Sequence, residues 1–246
     1  MKLRELLAAA ALLTSPWAWG YEPAGTPEDW PNPIPDQQPY GMVMIDRLEI
    51  GFADEVDTYV WDLQGWYGGD YDRLWIKTEG EGEQGKSPES AELQALFSRR
   101  FAAFWDWQVG VRHDFEPSPT ANYFVLGLQG IMPYEFEWDS ALFVSDEGDL
   151  TARVEAEYDL RLTQRLIIQP RLELNAAGTD IPELGIGSGI NSTELGLRLR
   201  YEFKREFAPY IGVSWEKRYG DTADFVRLEG EPTSVMSVVV GVRAWF

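Results

Sequence analysis

The sequence contains no cysteine and a single histidine, which limits the metal sites that it can build. Without cysteine there is no disulfide and no thiolate ligand. Basic residues are also few: 21 Lys and Arg stand against 41 Asp and Glu, for a formal net charge of -20. Because nucleic-acid binding depends on basic side chains that neutralise phosphates, no nucleic-acid partner is expected. Cations suit this charge better, although an acidic surface adapted to its habitat would carry the same balance.

Hydrophobic runs long enough to form a membrane helix are missing as well. An apolar stretch, LLAAAALL (6–13), follows Lys2 and Arg4 near the start of the chain, and small residues come after it. This order is typical of an export signal, so residues 1–20 are predicted to be a signal peptide that is cleaved after Gly20. Since no later stretch approaches the roughly 18 apolar residues of a membrane helix, none is expected in the mature chain.

A regular alternation of apolar and polar residues begins at Met42. Residues 21–41 are instead rich in proline and poor in apolar residues, and we predict a periplasmic arm without a folded core. In TARVEAEYDLRL (151–162) apolar side chains alternate with charged ones, and TELGLRLRYEF (193–203) repeats the pattern. A period of two places the two sets on opposite faces of a β-strand. Such strands run for about 10–12 residues, enough for a tilted strand to cross a bilayer.

The connections between these strands alternate in length. Tight turns are predicted at 68–71, 102–105, 132–135, 163–166 and 204–207, and longer polar loops at 80–91, 115–121, 145–149, 177–192 and 217–234. This layout is typical of outer-membrane barrels. We therefore predict an all-β transmembrane antiparallel β-barrel of about 12 strands over residues 42–246, in the outer membrane of a Gram-negative cell, with both termini periplasmic. The pattern contains no convincing helix.

The chain ends on an apolar strand, SVVVGVRAWF, whose last residue is Phe246. An apolar strand that finishes on an aromatic residue resembles the signal read by the outer-membrane assembly machinery. Other aromatic residues concentrate near the ends of predicted strands: Tyr67, Trp75, Trp105, Trp107, Tyr123, Tyr134, Trp138, Tyr201, Tyr210, Trp215 and Trp245. Because an amphipathic ring is stabilised at the headgroup level, these residues are predicted to form girdles at the membrane interfaces.

The polar face of such a barrel lines its lumen and carries charges of both signs. The residues predicted to point inward are Arg100, Arg112, Arg153, Glu155, Glu157, Asp159, Arg161, Arg171, Glu173, Arg198, Arg200, Glu202 and Arg243. Opposite charges on neighbouring strands can pair into a ladder. Such a ladder either braces and plugs a narrow barrel or lines a gated polar path for ions or small solutes. The alternation does not separate the two.

Several stretches resemble the copper resistance protein B family of outer-membrane proteins. The likeness is carried by WDLQGWYGGDYDRLWIKTEGEGE (61–83), LQALFSRRFAAFWDWQVGVRHDF (93–115) and EAEYDLRLTQRLIIQPRLELNAAG (155–178), and it extends over GIGSGINSTELGLRLRYEFKREFAPYIGVSWEK (185–217). The resemblance implies the outer-membrane component of a copper resistance or homeostasis system, which binds or passes copper ions as a transient substrate. It also implies contact with outer-membrane lipid and, as partner, a periplasmic multicopper oxidase or copper carrier.

The chain departs from that family in its N-terminal arm. Many members carry a tract rich in Met and His there, whereas residues 21–41 contain neither. What remains is Met42 and Met44, which share a strand face at a spacing of two. They could hold one Cu(I) ion with a third donor, because thioethers are ligands that soft copper prefers. The other interpretation is packing or lipid contact by two apolar side chains.

The single histidine, His113, lies on the outward face of its strand by the same alternation, near the loop end. It is either an interfacial residue or a copper ligand beside Asp114 and Glu116. Asp114 lies on the opposite strand face and no serine lies two residues on, so neither a lipase-like nor a protease-like catalytic array is predicted. We therefore expect no enzyme, and a general small-solute channel or structural barrel without a metal role is the alternative function.

Three glutamates lie near the first long loop. Glu79, Glu81 and Glu83 share one strand face and could collect hard cations such as Ca²⁺. The other interpretation is a solvated loop, because this segment overlaps the predicted loop at 80–91.

Overall fold

The structure is a computed structural model that describes residues 38–53 and 56–246. The signal peptide predicted for 1–20 and nearly all of the arm predicted for 21–41 lie outside these residues. Thirteen β-strands account for most of the described chain. They are β1 (Tyr40–Phe52), β2 (Thr58–Gly68), β3 (Asp72–Glu83), β4 (Ser90–Ala102), β5 (Trp105–Glu116), β6 (Ala121–Met132), β7 (Phe136–Ser145), β8 (Leu150–Tyr158), β9 (Leu160–Arg161), β10 (Leu166–Ala177), β11 (Gly189–Tyr201), β12 (Phe207–Arg218) and β13 (Ser234–Trp245).

The strands form one closed antiparallel barrel. Neighbours in sequence pair with each other, and β13 returns to pair with β1. β8 and β9 both pair with β10 and together form one wall strand that is interrupted at Asp159. The barrel wall therefore has twelve strands. At the seam, Val43 and Phe246 exchange two backbone hydrogen bonds of 3.0 and 2.9 Å. The predicted antiparallel barrel of about 12 strands is confirmed.

The two ends of the barrel differ in the length of their connections. At the turn end, the strands are joined through residues 69–71, 103–104, 133–135, 162–165 and 202–206. At the loop end, the connections include 84–89, 117–120, 146–149, 178–188 and 219–233. β1 begins at the turn end and β13 finishes there, so the first and last strands meet where the turns are short.

The longest loop contains a helix, α1 (Gly220–Glu229), so the expectation of no convincing helix is wrong. Asp221 lies in its first turn and Arg227 in its last, and both charges complement the helix dipole. Gly230 ends α1 in the left-handed conformation, with φ of 88°. Ten residues are too few for a clear helical period, which is why the sequence pattern did not reveal it. No helix of the described chain is long and apolar enough to cross a membrane.

Alternation sorts the side chains between an apolar outer face and a polar lumen. On β11, Leu195, Leu197 and Leu199 are exposed on the outside, whereas Arg198 and Arg200 are 2% and 4% exposed. Because inward and outward residues follow one another strictly, the leucines form the outer surface that lipid would cover, while the arginines stay enclosed.

A β-bulge in β1 breaks this alternation at one place. The pairing of β1 with β2 shifts between Ile45 and Arg47, which leaves Asp46 without a partner residue. Both Asp46 and Arg47 therefore face the lumen, as their ion pairs with inward side chains show. Leu48 then points outward and is 50% exposed.

Three aromatic residues predicted for the interfacial girdles lie inside the barrel instead. Trp75 and Tyr123 are each 6% exposed and belong to an apolar cluster on the lumen wall. The buried hydroxyl of Tyr210 donates to Glu49. The correction follows from strand parity, since nearness to a strand end fixes the height of a ring but not the face on which it lies.

Candidate functional site in the barrel lumen

Buried arginines and carboxylates fill the middle of the lumen. We call this set the ionic core; it comprises Arg47, Glu49, Glu79, Glu92, Arg153, Arg171, Glu173, Glu194 and Arg198. The Arg171 side chain is 2% exposed and contacts four carboxylates at 2.7 to 3.2 Å, those of Glu155, Glu157, Glu173 and Glu194. Arg198 donates hydrogen bonds of 2.6 and 3.1 Å to Glu49. Each buried charge is thus held by an opposite one, as burial of ions requires.

Some of these pairs cross the lumen instead of running along its wall. Arg153 of β8 contacts Glu79 of β3 at 2.7 Å and Glu92 of β4 at 3.0 Å. Lys77 of β3 likewise reaches Asp139 of β7 at 2.6 Å. Because these strands stand far apart around the ring, the side chains bridge the interior and obstruct the middle of the lumen.

Most residues predicted to point inward take part in these contacts. Glu155 and Glu157 contact Arg171, Asp159 pairs with Arg200, and Arg112 lies 2.9 Å from Glu92. Arg100 lies 3.5 Å from Asp106 and Arg243 lies 2.9 Å from Asp46.

Two of the predicted ladder residues pair with turn residues and not with the ionic core. Arg161 pairs with Glu135 at 2.9 Å and Glu202 pairs with Arg205 at 2.8 Å, both at the turn end. The reason is that β9 ends at Arg161 and β11 at Tyr201, so alternation no longer sets the direction of the side chain.

Several lumen charges were missing from the sequence prediction. They are Asp46, Arg47, Glu49, Asp62, Arg73, Lys77, Glu79, Glu92, Asp106, Asp114, Glu137, Asp139 and Glu194. Their strands carry the same period of two, so extending the alternation along β1, β3 and β7 would have found most of them. Glu79 in particular belongs to β3, which runs to Glu83, and it pairs with Arg47 instead of lying in a solvated loop.

A cavity of about 380 Å³ occupies the turn-end half of the lumen. Its lining runs from Ala103 and Phe104 in a tight turn to Glu92 and Arg153 in the ionic core. The charged side chains of the lining are Asp46, Asp62, Glu79, Glu92, Asp106, Glu137, Asp139, Glu155 and Glu157 against Arg73, Lys77, Arg100 and Arg153. Carboxylates outnumber basic groups, so the cavity attracts cations.

Arg243 contacts Met44 and Asp46 near the turn end of this cavity, and we call these three residues, with the lumen-facing Met42 and Glu137, the mouth cluster. Met42 is in register with Trp66 and Met44 with Gln64, two residues that line the cavity, so both methionines face the lumen. Arg243 Nη2 lies 3.7 Å from Met44 Sδ and Arg243 Nε lies 2.9 Å from Asp46 Oδ1. Glu137 lines the cavity as well.

The three predicted copper ligands do not come together. Met42 and Met44 lie at the turn end of β1, whereas His113 lies near the loop end of β5. His113 Nδ1 is 2.8 Å from Asn122 Oδ1, and its ring packs edge-on against Phe115 on the outer face. Among the described residues, no group of three or more His, Asp or Glu side chains is arranged to hold a metal ion.

The barrel matches a known protein family over nearly its whole length. The family model described as Copper resistance protein B precursor (CopB) matches residues 39–246. The chain is 44% identical over 205 residues to "Copper resistance protein B" of Escherichia coli, across 83% of this chain and 69% of the relative. It is 39% identical to "Copper resistance protein B homolog" of Pseudomonas syringae pv. tomato, across 100% of this chain and 96% of the relative.

A solved barrel has a similar fold. The NanC porin matches with a TM-score of 0.55 at 13% sequence identity, and the match covers 80% of this chain and 98% of the porin. At this identity the likeness concerns the fold alone. Together with the apolar outer face and the family match, it places the barrel in the outer membrane.

Proposed function

Because the chain belongs to the copper resistance protein B family, we propose that it serves copper resistance by binding copper ions at the mouth cluster of its lumen. The family supports a role in copper resistance, and the outer-membrane barrel supports contact with lipid. The copper-binding step and its position are our proposal. It includes no catalytic reaction, and copper is handled as a substrate that is bound and released.

One observation carries this proposal: Met42 and Met44 face the lumen beside a cavity rich in carboxylates. Thioether sulfur is a soft ligand that Cu(I) prefers, and hard cations such as Mg²⁺ or Ca²⁺ gain little from it. Asp46 adds negative charge beside the Met44 sulfur, because both groups contact Arg243. Two thioethers with a weak third donor would hold copper only transiently, which suits a protein that hands the ion on.

We further propose capture at the mouth in place of free flow through the barrel. The contacts of Arg153 with Glu79 and Glu92 cross the lumen beyond the cavity, so an ion bound at the mouth meets a closed core. These crossing pairs argue against the general solute channel. They support a binding cavity that is closed at its inner end, so that an ion could pass through the barrel only if the crossing pairs separated.

The turn end is proposed to face the periplasm. In outer-membrane barrels the short turns lie on the periplasmic side and the longer loops outside. With this orientation the mouth cluster would exchange copper with the periplasm, where a multicopper oxidase or a copper carrier would be the partner. Both termini of the barrel would lie on the same side.

A titration of the full chain with Cu(I) in detergent, against a coloured competing chelator, tests the site. Met42→Leu/Met44→Leu removes both sulfurs while nearly preserving volume. We expect its copper affinity to fall at least about tenfold, equal to about 1.4 kcal/mol. Met132→Leu/Met236→Leu is the matched control, because Met236 is 66% exposed on the outer face and Met132 is the last residue of β6. Equal affinities for all three proteins would remove the mouth cluster as the copper site.

A further inference from the structure

We infer that Arg243 is a built-in competitor of copper: a tethered cation that occupies the place between Met44 and Asp46 and makes the mouth cluster selective for Cu(I). The inference rests on the proposed function and names the residue that sets its selectivity. It concerns one side chain that touches both kinds of donor.

The geometry is specific to this arginine. Its Nη2 lies 3.7 Å from Met44 Sδ, and its Nε lies 2.9 Å from Asp46 Oδ1. The side chains of Arg243 and Asp46 are 16% and 13% exposed, so water screens their contact only in part. A copper ion that takes the sulfur of Met44 and the carboxylate of Asp46 must therefore move this guanidinium aside.

The contact between Arg243 and Asp46 is built to be exchanged. Asp46 Oδ1 is buried, yet it accepts no hydrogen bond from any described residue, so charge alone holds the pair. Arg198 in the ionic core instead donates two hydrogen bonds to Glu49, which fix both side chains. Hydrogen-bonded, charge-assisted pairs are the strong ones, so Arg243 is the easier of the two arginines to displace.

The β-bulge places the competitor. The pairing of β1 with β13 skips from Ile45–Ala244 to Leu48–Val242, so Arg243 stands opposite the bulged Asp46 and Arg47. In a regular strand only one of the two adjacent residues Asp46 and Arg47 would point inward. The bulge lets both do so, and Asp46 thereby reaches Arg243. The same bulge thus brings the Asp46 carboxylate and the Arg243 guanidinium into contact.

A fixed positive charge in a binding site repels every cation, whatever its chemistry. A cation binds only if the free energy lost to this repulsion is offset by bonds to ligands that the guanidinium cannot use equally well. Cu(I) regains it through the thioethers of Met42 and Met44, whereas Mg²⁺ and Ca²⁺ do not. Arg243 therefore suppresses hard cations in an acidic cavity that would otherwise collect them.

The test compares Arg243→Gln with Arg100→Gln in folded full-length protein, with Cu(I) and Ca²⁺ as separate probes. Arg100 also lines the cavity, and its Nε lies 3.5 Å from Asp106 Oδ1, but it is not part of the mouth cluster. For Arg243→Gln we expect the affinity for Cu(I) to rise about tenfold and that for Ca²⁺ about a hundredfold, because a like charge repels a divalent ion about twice as strongly as a monovalent one. Arg100→Gln should change both by less than about twofold, because it removes the same charge farther from the sulfur.

The outcomes separate the two proposals. If Met42→Leu/Met44→Leu loses Cu(I) while Arg243→Gln binds both ions like the natural protein, the copper site stands and the competitor is refuted. An equal gain for Arg100→Gln would also refute it, because overall lumen charge would then explain the result. If Arg243→Gln does not fold, Asp46→Asn/Arg243→Gln leaves no unpaired charge. That variant should still bind Cu(I) more tightly than Asp46→Asn, and no difference between them would overturn the inference.

Discussion

The ionic core and the mouth cluster use the same side chains to different ends. In the core, Arg171 contacts four carboxylates and is 2% exposed. In the mouth, Arg243 contacts one carboxylate and one sulfur, and it is 16% exposed. Arg171 in the core thus has several carboxylate partners, whereas Arg243 in the mouth has one, whose Oδ1 accepts no hydrogen bond among the described residues.

The difference shows how one polar lumen can be both rigid and responsive. A buried charge with several partners cannot move without leaving all of them unpaired, which costs several kcal/mol. A charge with one exchangeable partner can give way to a competing cation. We therefore expect substitutions in the core to change the stability of the barrel, and substitutions at the mouth to change what it binds.

The largest effect is expected for Arg171→Met, which takes away the basic partner that four carboxylates share. Breaking a buried ion pair from one side costs about 3–5 kcal/mol, and we expect at least this loss of unfolding free energy. Urea unfolding of the barrel in lipid vesicles measures it.

The matched comparison is Arg100→Gln, whose single contact with Asp106 is 3.5 Å long and whose side chain is 34% exposed. Partly exposed pairs of this kind are worth about 0–1 kcal/mol. If the two variants lost equal stability, the distinction between a core of multiply paired charges and a loosely paired cavity would be wrong.

A smaller effect on stability, with a change in conductance, is expected for Arg153→Gln. It removes the contacts that cross from β8 to Glu79 and Glu92. The core should then open on one side, so single-channel conductance in a planar bilayer should exceed that of the natural protein severalfold.

Arg112→Gln supplies the control, because Arg112 contacts Glu92 and Asp114 along the wall and does not cross the lumen. Similar conductance for both variants would show that the crossing contacts are not what closes the barrel.

The smallest effect is expected outside the lumen, at Asp180 in the 178–188 loop, which gives the comparison a solvent-exposed reference. The Ser188 backbone N–H donates to Asp180 Oδ1 at 2.7 Å, and this bond together with the Ser188 hydroxyl holds the pKa of Asp180 below its ordinary value of 3.8. The bond therefore stabilises the loop above that value, and the effect is lost as the pH falls through the lowered pKa.

Asp180→Asn should thus speed amide hydrogen exchange at Ser188 at neutral pH and leave global unfolding unchanged. The difference from the natural protein should shrink once the medium is acidic enough to protonate Asp180. A pH-independent difference would mean that the charge of Asp180 does not hold the loop.

Alternation alone predicted the barrel and much of its inner lining. Arg153, Arg171 and Arg198 point inward because each follows an outward apolar residue in a strand long enough to keep its period. The lumen partners of these residues were not predictable in the same way. Arg153 meets Glu79 from 74 positions away, and only the closure of the barrel brings them together.

The mouth cluster was predicted in part. Met42 and Met44 were found from their spacing, but Asp46 was not, because strict alternation across MIDRLEI places only one of two adjacent residues inside. Arg243 was assigned to the lumen by parity, yet its contact with Met44 depends on the register of the seam between β13 and β1. Sequence periodicity fixes faces, whereas contacts between strands distant in sequence need the closed ring.

The bulge at Asp46 also makes one position of the wall unusually tolerant of a change in chain length. In the uninterrupted part of β3, loss of a single residue would turn half the strand inside out and bury charges in lipid. Loss of Asp46 would instead restore a regular strand, with Met44 still inward and Leu48 still outward. A family of such barrels can therefore gain or lose this inward carboxylate by a single-codon insertion or deletion while the wall around it stays intact.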